Sequence, residues 1–143
     1  MKKWLKILLI LFGIGLFAGI CTYMYVFHKP HRNVAAEKPT FIMKAADLTS
    51  EFTANEDSCN KKYGDKVIQV DGKIADISKS DTTLSVTLDD PSKGVNCSFE
   101  SEYCIKNKDQ IKLLKVGDQV TLKGKCDGFD MIMGVVLTRC VLL

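Results

Sequence analysis

From Ile7 to Phe27 the chain runs through 21 residues without a charge, ILLILFGIGLFAGICTYMYVF. At about 1.5 Å of rise per residue, a helix of that length crosses the roughly 30 Å hydrocarbon core of a bilayer. Trp4 lies at one end and Tyr23 and Tyr25 at the other, and amphipathic rings settle at membrane interfaces. Lys2 and Lys3 precede the stretch, and Lys6 is long enough to snorkel its ammonium to the surface. Residues 1–28 therefore read as an N-terminal transmembrane anchor.

Two other readings compete. The apolar core of a cleaved signal peptide spans about 7–15 residues. This one is longer, and the small-residue site Val34-Ala35-Ala36 lies well beyond its end. A lipoprotein signal would place the lipid on Cys21, but Ile20 stands where such signals carry a small residue. The anchor is the reading carried forward, with Cys21 as an apolar member of the helix. The amino terminus brings Lys2, Lys3 and Lys6 to one side. Lys29 and Arg32 follow on the other, with Lys38 offset by Glu37. The positive excess places the N-terminal side in the cytoplasm and the rest of the chain outside it.

Charge separates the two parts of the chain. Residues 1–32 hold five basic residues and no acid; residues 33–143 hold the other 15 basic residues and all 17 acidic ones, a net of −2. That balance disfavours a basic nucleic-acid binder. Both histidines, His28 and His31, precede the body. The body thus lacks the histidine of Ser-His-Asp and Cys-His catalysis and of His-ligated metal sites. The His28/His31 spacing could ligate a metal, but an isolated pair beside a membrane reads more simply as solvated chain. Residues 29–39, with Pro30, Pro39, several charges and no apolar period, read as a linker.

In the body, Ala45, Leu48, Phe52, Cys59 and Tyr63 fall on one helical face. Gly64 follows as a C-terminal signal and Lys61 and Lys62 suit the last turn. Beyond, alternation marks strands: Ile68, Val70, Gly72 and Ile74; Leu84, Val86 and Leu88; Val95, Cys97 and Phe99; Val120, Leu122, Gly124 and Cys126. A fifth runs from about Met131 to Leu142. Turn signals stand at Ser80-Asp81, Asp89-Asp90-Pro91 and Cys126-Asp127-Gly128. Ser101 to Leu114 is less regular, with room for a short helix anchored by Ile105, Ile111 and Leu114. Residues 68–73 and 120–125 share hydrophobic-x-hydrophobic-x-Gly-Lys. Glycine inside a strand marks a bulge or bend, so two of them predict a small, strongly curved barrel. The expected fold is mainly β: a five-stranded OB-fold barrel over residues 40–143 with an amphipathic helix packed on it.

The segments Asn55-Glu56-Asp57, Asn60-Lys61-Lys62-Tyr63 and Lys66 to Ile74 resemble the tRNA-anticodon-like OB-fold family. Gly117-Asp118-Gln119-Val120, Lys123-Gly124-Lys125-Cys126 and Val135 to Cys140 resemble it too. Its members are mostly bacterial proteins with an N-terminal anchor or lipoprotein signal. The resemblance spans roughly residues 40–143 and its motifs are structural. It implies fold and location and leaves function open.

The body carries Cys59, Cys97, Cys104, Cys126 and Cys140, with no CxxC and no histidine to complete a zinc site. An extracytoplasmic body permits disulfides. Cys126 and Cys140, at the ends of the last two strands with 13 residues between them, form the expected pair, and the resemblance favours it too. Such a loop would stabilise by about 3 kcal/mol in the chain-entropy model; two buried thiols are the alternative. Cys97 and Cys104 could also pair. Cys59 is then left over, or takes one of those two as its partner.

P-loop, GxSxG, HExxH and EF-hand patterns are absent from the sequence. Asp89-Asp90 and Glu100/Glu102 are acidic pairs better suited to turns and strand edges than to catalysis. Phe99 and Tyr103, with Lys79 and Lys93 in the turns, are the residues available for stacking on a nucleic acid, though Phe99 shares the core-facing alternation. The nearest approach to a basic patch is Lys61-Lys62 with Lys66, diluted by Asp57 and Asp65. The expectation is a non-enzymatic, cofactor-free binding or interaction module of the cell envelope. Its ligand would be an envelope protein, a glycan or a small molecule. The alternative is a single-stranded nucleic-acid-binding OB domain.

Overall fold

Lys2–Phe27 forms one helix, α1, the single element among the described residues long and apolar enough to cross a membrane. Its most apolar window has a mean hydropathy of 2.3, and none of it is buried against protein. We describe a computed structural model that covers residues 1–28 and 32–143. Lys29, Pro30 and His31, with the expected HxxH pair and the start of the linker, lie outside the described residues. The chain divides into two compact units, residues 1–32 and 33–143.

The second unit is a closed barrel. Its strands are β2 (Val67–Lys79), β3 (Leu84–Leu88), β4 (Val95–Phe99), β5 (Gln119–Asp130) and β6 (Gly134–Leu142). They close in the order β2-β3-β4-β6-β5 and back to β2, antiparallel except for the parallel β4–β6 pair. The 13-residue β2 achieves closure by changing partners. Its first half pairs with β5 and its second with β3. A short strand, β1 (Phe41–Lys44), adds in parallel to β2, outside the expected five.

The two sequence-echo glycines have different work. At Gly124 the β5–β6 register shifts, the bend expected there. In β2 the shift falls later, between Ile74 and Asp76, while Gly72 lets Ala45 approach the strand. An added Cβ at Gly72 would sit 3.0 Å from that of Ala45.

Residues 45–63 form two helices, α2 (Ala45–Ala54) and α3 (Glu56–Tyr63), where the periodicity predicts one. Asn55 breaks them. Its backbone is extended, and its side chain caps α3 by accepting from the Ser58 N–H at 3.0 Å, a role that Asn takes readily. The apolar face survives the break: Ala45, Leu48, Phe52, Cys59 and Tyr63 are all buried in the barrel's core. Ser101 to Leu114 folds as α4 (Ser101–Lys106) and α5 (Lys108–Leu113), between β4 and β5.

The Asp127-Gly128 signal is not a turn. β5 runs through it with a second register shift, and Gly128 takes a φ of +116°. The hairpin closes instead at Met131–Met133, where Asp130 Oδ1 accepts from the Ile132 and Met133 N–H groups at 2.7 and 3.0 Å. The Ser80-Asp81 and Asp89-Asp90-Pro91 turns lie where the sequence places them.

Candidate binding surfaces of the barrel

Alternation along β3 and β4 sends Leu84, Val86 and Leu88, then Val95, Cys97 and Phe99, into the core. On the opposite side lie Ser85, Thr87, Asn96 and Ser98; Ser98 is exposed, Ser85 and Asn96 are half-buried and Thr87 is buried. Register places Ser85 beside Ser98 and Thr87 beside Asn96. Ser85 Oγ bonds to Asn96 Oδ1 at 3.3 Å, and Asn96 Nδ2 donates to Thr87 Oγ1 at 3.4 Å. The result is an uncharged, hydrogen-bonding platform. Phe99 is buried, as its alternation predicts, and its ring packs on Tyr103 with centroids 5.7 Å apart. The Tyr103 hydroxyl accepts from the Leu142 N–H at 3.0 Å. Both candidate stacking rings are thus engaged with the fold.

Four of the body's cations meet acids. Lys62 meets Glu51 at 3.1 Å, Lys106 meets Glu102 at 2.7 Å, and Arg139 meets Glu100 at 3.1 Å. Lys125 lies between Asp65 and Asp127. Lys62 also covers the Tyr63 ring, 4.5 Å from its centroid. Hydrogen bonds from Tyr63 and Lys62 hold the Glu51 carboxyl below its usual pKa, and burial followed by Glu51 pushes the Tyr63 hydroxyl up. Of the two acidic pairs, Asp89-Asp90 builds the expected turn, while Glu100 and Glu102 stand at the N-cap and in the first turn of α4. Asp89 Oδ1 accepts from the Lys73 N–H at 3.0 Å. Asp90 accepts from the Ser92 and Lys93 N–H groups, which lower its pKa.

Three further features escaped the sequence reading. Lys79, Lys108 and Lys112 line a common cleft beside the β2–β3 turn. Lys123 is buried, its ammonium donating to the Ala35 and Glu37 carbonyls at 2.9 and 2.8 Å. Val34 is buried too, so the end of the expected linker is docked on the barrel. The hairpin tip leaves Met131 92% and Ile132 85% exposed.

The five body cysteines are buried free thiols, and Cys21 is exposed. The β5–β6 register sets Cys126 opposite Leu137. Cys140 points over Gly124 and faces the Cys97 thiol. Burial foremost, then Cys97, raises the Cys140 pKa well above its ordinary value. Burial pushes Cys126 up to about 11. Cys104 lies against the Leu84 backbone.

The tRNA_anti-like family matches residues 1–142. This chain belongs to the tRNA_anti-like family. Comparison with curated proteins finds no match. Among solved structures, a Klebsiella pneumoniae subsp. pneumoniae protein, provisionally named a nucleic acid-binding lipoprotein, is 22% identical with a TM-score of 0.58. The alignment covers 80% of this chain and 99% of that one; at this identity the likeness is one of fold. Asparaginyl-tRNA synthetase of Entamoeba histolytica is 18% identical with a TM-score of 0.44, over 55% of this chain and 21% of the synthetase. The Stn1-Ten1 complex of S. pombe contributes a chain 22% identical with a TM-score of 0.40, over 54% of this chain and 57% of that one. The five-stranded barrel with its parallel closing pair is thus the OB-fold of a tRNA_anti-like protein.

Proposed function

We propose that this tRNA_anti-like protein is a membrane-anchored binding module, its OB-fold barrel held outside the cytoplasm and acting by binding rather than by catalysis. The observation that carries the reading is the outer face of β3 and β4. An OB-fold that grips single-stranded nucleic acid offers cations for phosphates and rings for bases. The accessible side chains of this face, Ser85, Asn96 and Ser98, offer neither, while Phe99 and Tyr103 are occupied elsewhere. Such a face suits a hydrogen-bonded protein, glycan or small-molecule ligand. The second reading, a single-stranded nucleic acid, draws on the name of the Klebsiella protein. Orientation rests on the lysines before the apolar stretch. A reporter active only outside the cytoplasm, fused after Leu143, is expected to be active. Activity of a cytoplasm-only reporter at that position would reverse the orientation and reopen the nucleic-acid reading.

An address outside the cytoplasm is oxidising, and the Cys126–Cys140 bond belongs to this proposal. Non-reducing peptide mapping of envelope-purified protein is expected to recover it. Cys140 joined to Cys97 would move the cross-link to the thiol that Cys140 already faces. Free, alkylatable thiols throughout would contradict the bond.

A further inference from the structure

The β2–β3 turn and the α4–α5 segment meet around a cleft of about 570 Å³, within the size range of small-molecule sites. Its floor is apolar: Leu84, Cys104 and Ile111 line it and are themselves buried in the barrel. Burial raises the Cys104 pKa, so that floor stays uncharged at neutral pH. Its rim is cationic. Lys108 and Lys112, spaced four apart on α5, flank Ile111 on one helical face. Lys79 arrives from the end of β2, and its ammonium donates to the Leu114 carbonyl at 2.5 Å, which pins the rim while leaving two of its three N–H donors. Asp81 is the one acid among the lining residues.

Three cations against one acid match a dianion, and an apolar floor matches an apolar body behind it. We infer that the cleft binds a phosphate monoester carried on a small apolar group, the phosphate meeting Lys79, Lys108 and Lys112 and the apolar group resting on Leu84, Cys104 and Ile111. The inference goes beyond the binding-module reading, because the cleft shares no residue with the polar side of β3 and β4. The topology fusion does not depend on it, so failure of one is distinguishable from failure of the other.

The ligand is either a soluble phosphomonoester or the head of a membrane lipid, and the test separates them. The full chain in phosphatidylcholine nanodiscs is titrated calorimetrically with phenyl phosphate, inorganic phosphate and phenol. Phenyl phosphate is expected to saturate one site, at least tenfold more tightly than either fragment. The Lys108→Gln/Lys112→Gln variant is expected to lose at least tenfold in affinity. Both lysines are exposed, so its thermal melt should match the parent's. Lys66→Gln, away from the cleft, is expected to bind like the parent. Competition from phosphatidic acid in the disc assigns the cleft to a lipid head; its absence assigns a soluble ligand. Equal binding of phenyl phosphate and inorganic phosphate, or an unchanged affinity in the double variant, overturns the site.

Discussion

Gly124 shows how one missing side chain closes a barrel. A Cβ there would stand 2.5 Å from Cys140 Sγ and 3.2 Å from the Leu137 Cβ. Gly124→Ala therefore overpacks the core, at a cost of about 1–3 kcal/mol. Adding Cys140→Ala empties the space and should recover part of that loss, a non-additivity that urea denaturation of the single and double variants measures. Tyr63 makes the second residue-scale case. Its hydroxyl donates to Glu51 at 2.5 Å and ties α3 to α2. Folding lowers the Glu51 pKa, so its contribution is present above the ordinary value of 4.5 and is lost as pH falls through the depressed one. Folding raises the Tyr63 and Lys62 values, so their contributions are present below about pH 10 and are lost as pH rises beyond it. Tyr63→Phe is expected to cost about 1 kcal/mol at pH 7. The gap between variant and parent should narrow at pH 3, as urea midpoints at the two pH values would show.

Among the elements, the segment leading into the barrel depends on one buried ammonium. Lys123→Met keeps the apolar stem and removes the donor to Ala35 and Glu37, leaving their carbonyls to find water. Cleavage within residues 33–40 in limited proteolysis should then accelerate severalfold while the far-UV spectrum of the barrel stays unchanged. Equal rates would show that Val34 alone holds the segment. Strand alternation was legible in the sequence because apolar and polar side chains alternate along β3 and β4, although Thr87 is buried too. β1 was not, because Phe41, Ile42 and Met43 are consecutive apolar residues with no alternation, and Ile42 is exposed. Asp127-Gly128 misled because Asp-Gly is a strong hairpin signal, whereas Gly128 there serves a bulge whose backbone comes close to Asn60. The cleft was invisible because it draws on residues 79–84, 104 and 108–112, which only the fold brings together.

For the whole molecule, the charges intermingled along residues 33–143 became ion pairs in space at four cations. Lys62, Lys106, Lys125 and Arg139 each met an acid, so these four bring no unbalanced charge to the surface. The lysines of the cleft surround a small concave site and leave the β3–β4 face uncharged, an arrangement that fits a compact ligand better than a strand. Each phosphate contact along a nucleic acid needs a placed cation, and its contribution weakens as salt rises. The most direct measurement is the fluorescence anisotropy of labelled single-stranded DNA and RNA, titrated with the full chain in phosphatidylcholine nanodiscs at low and physiological salt. The account predicts no saturable binding at physiological salt. Saturable micromolar binding that persists there would contradict it.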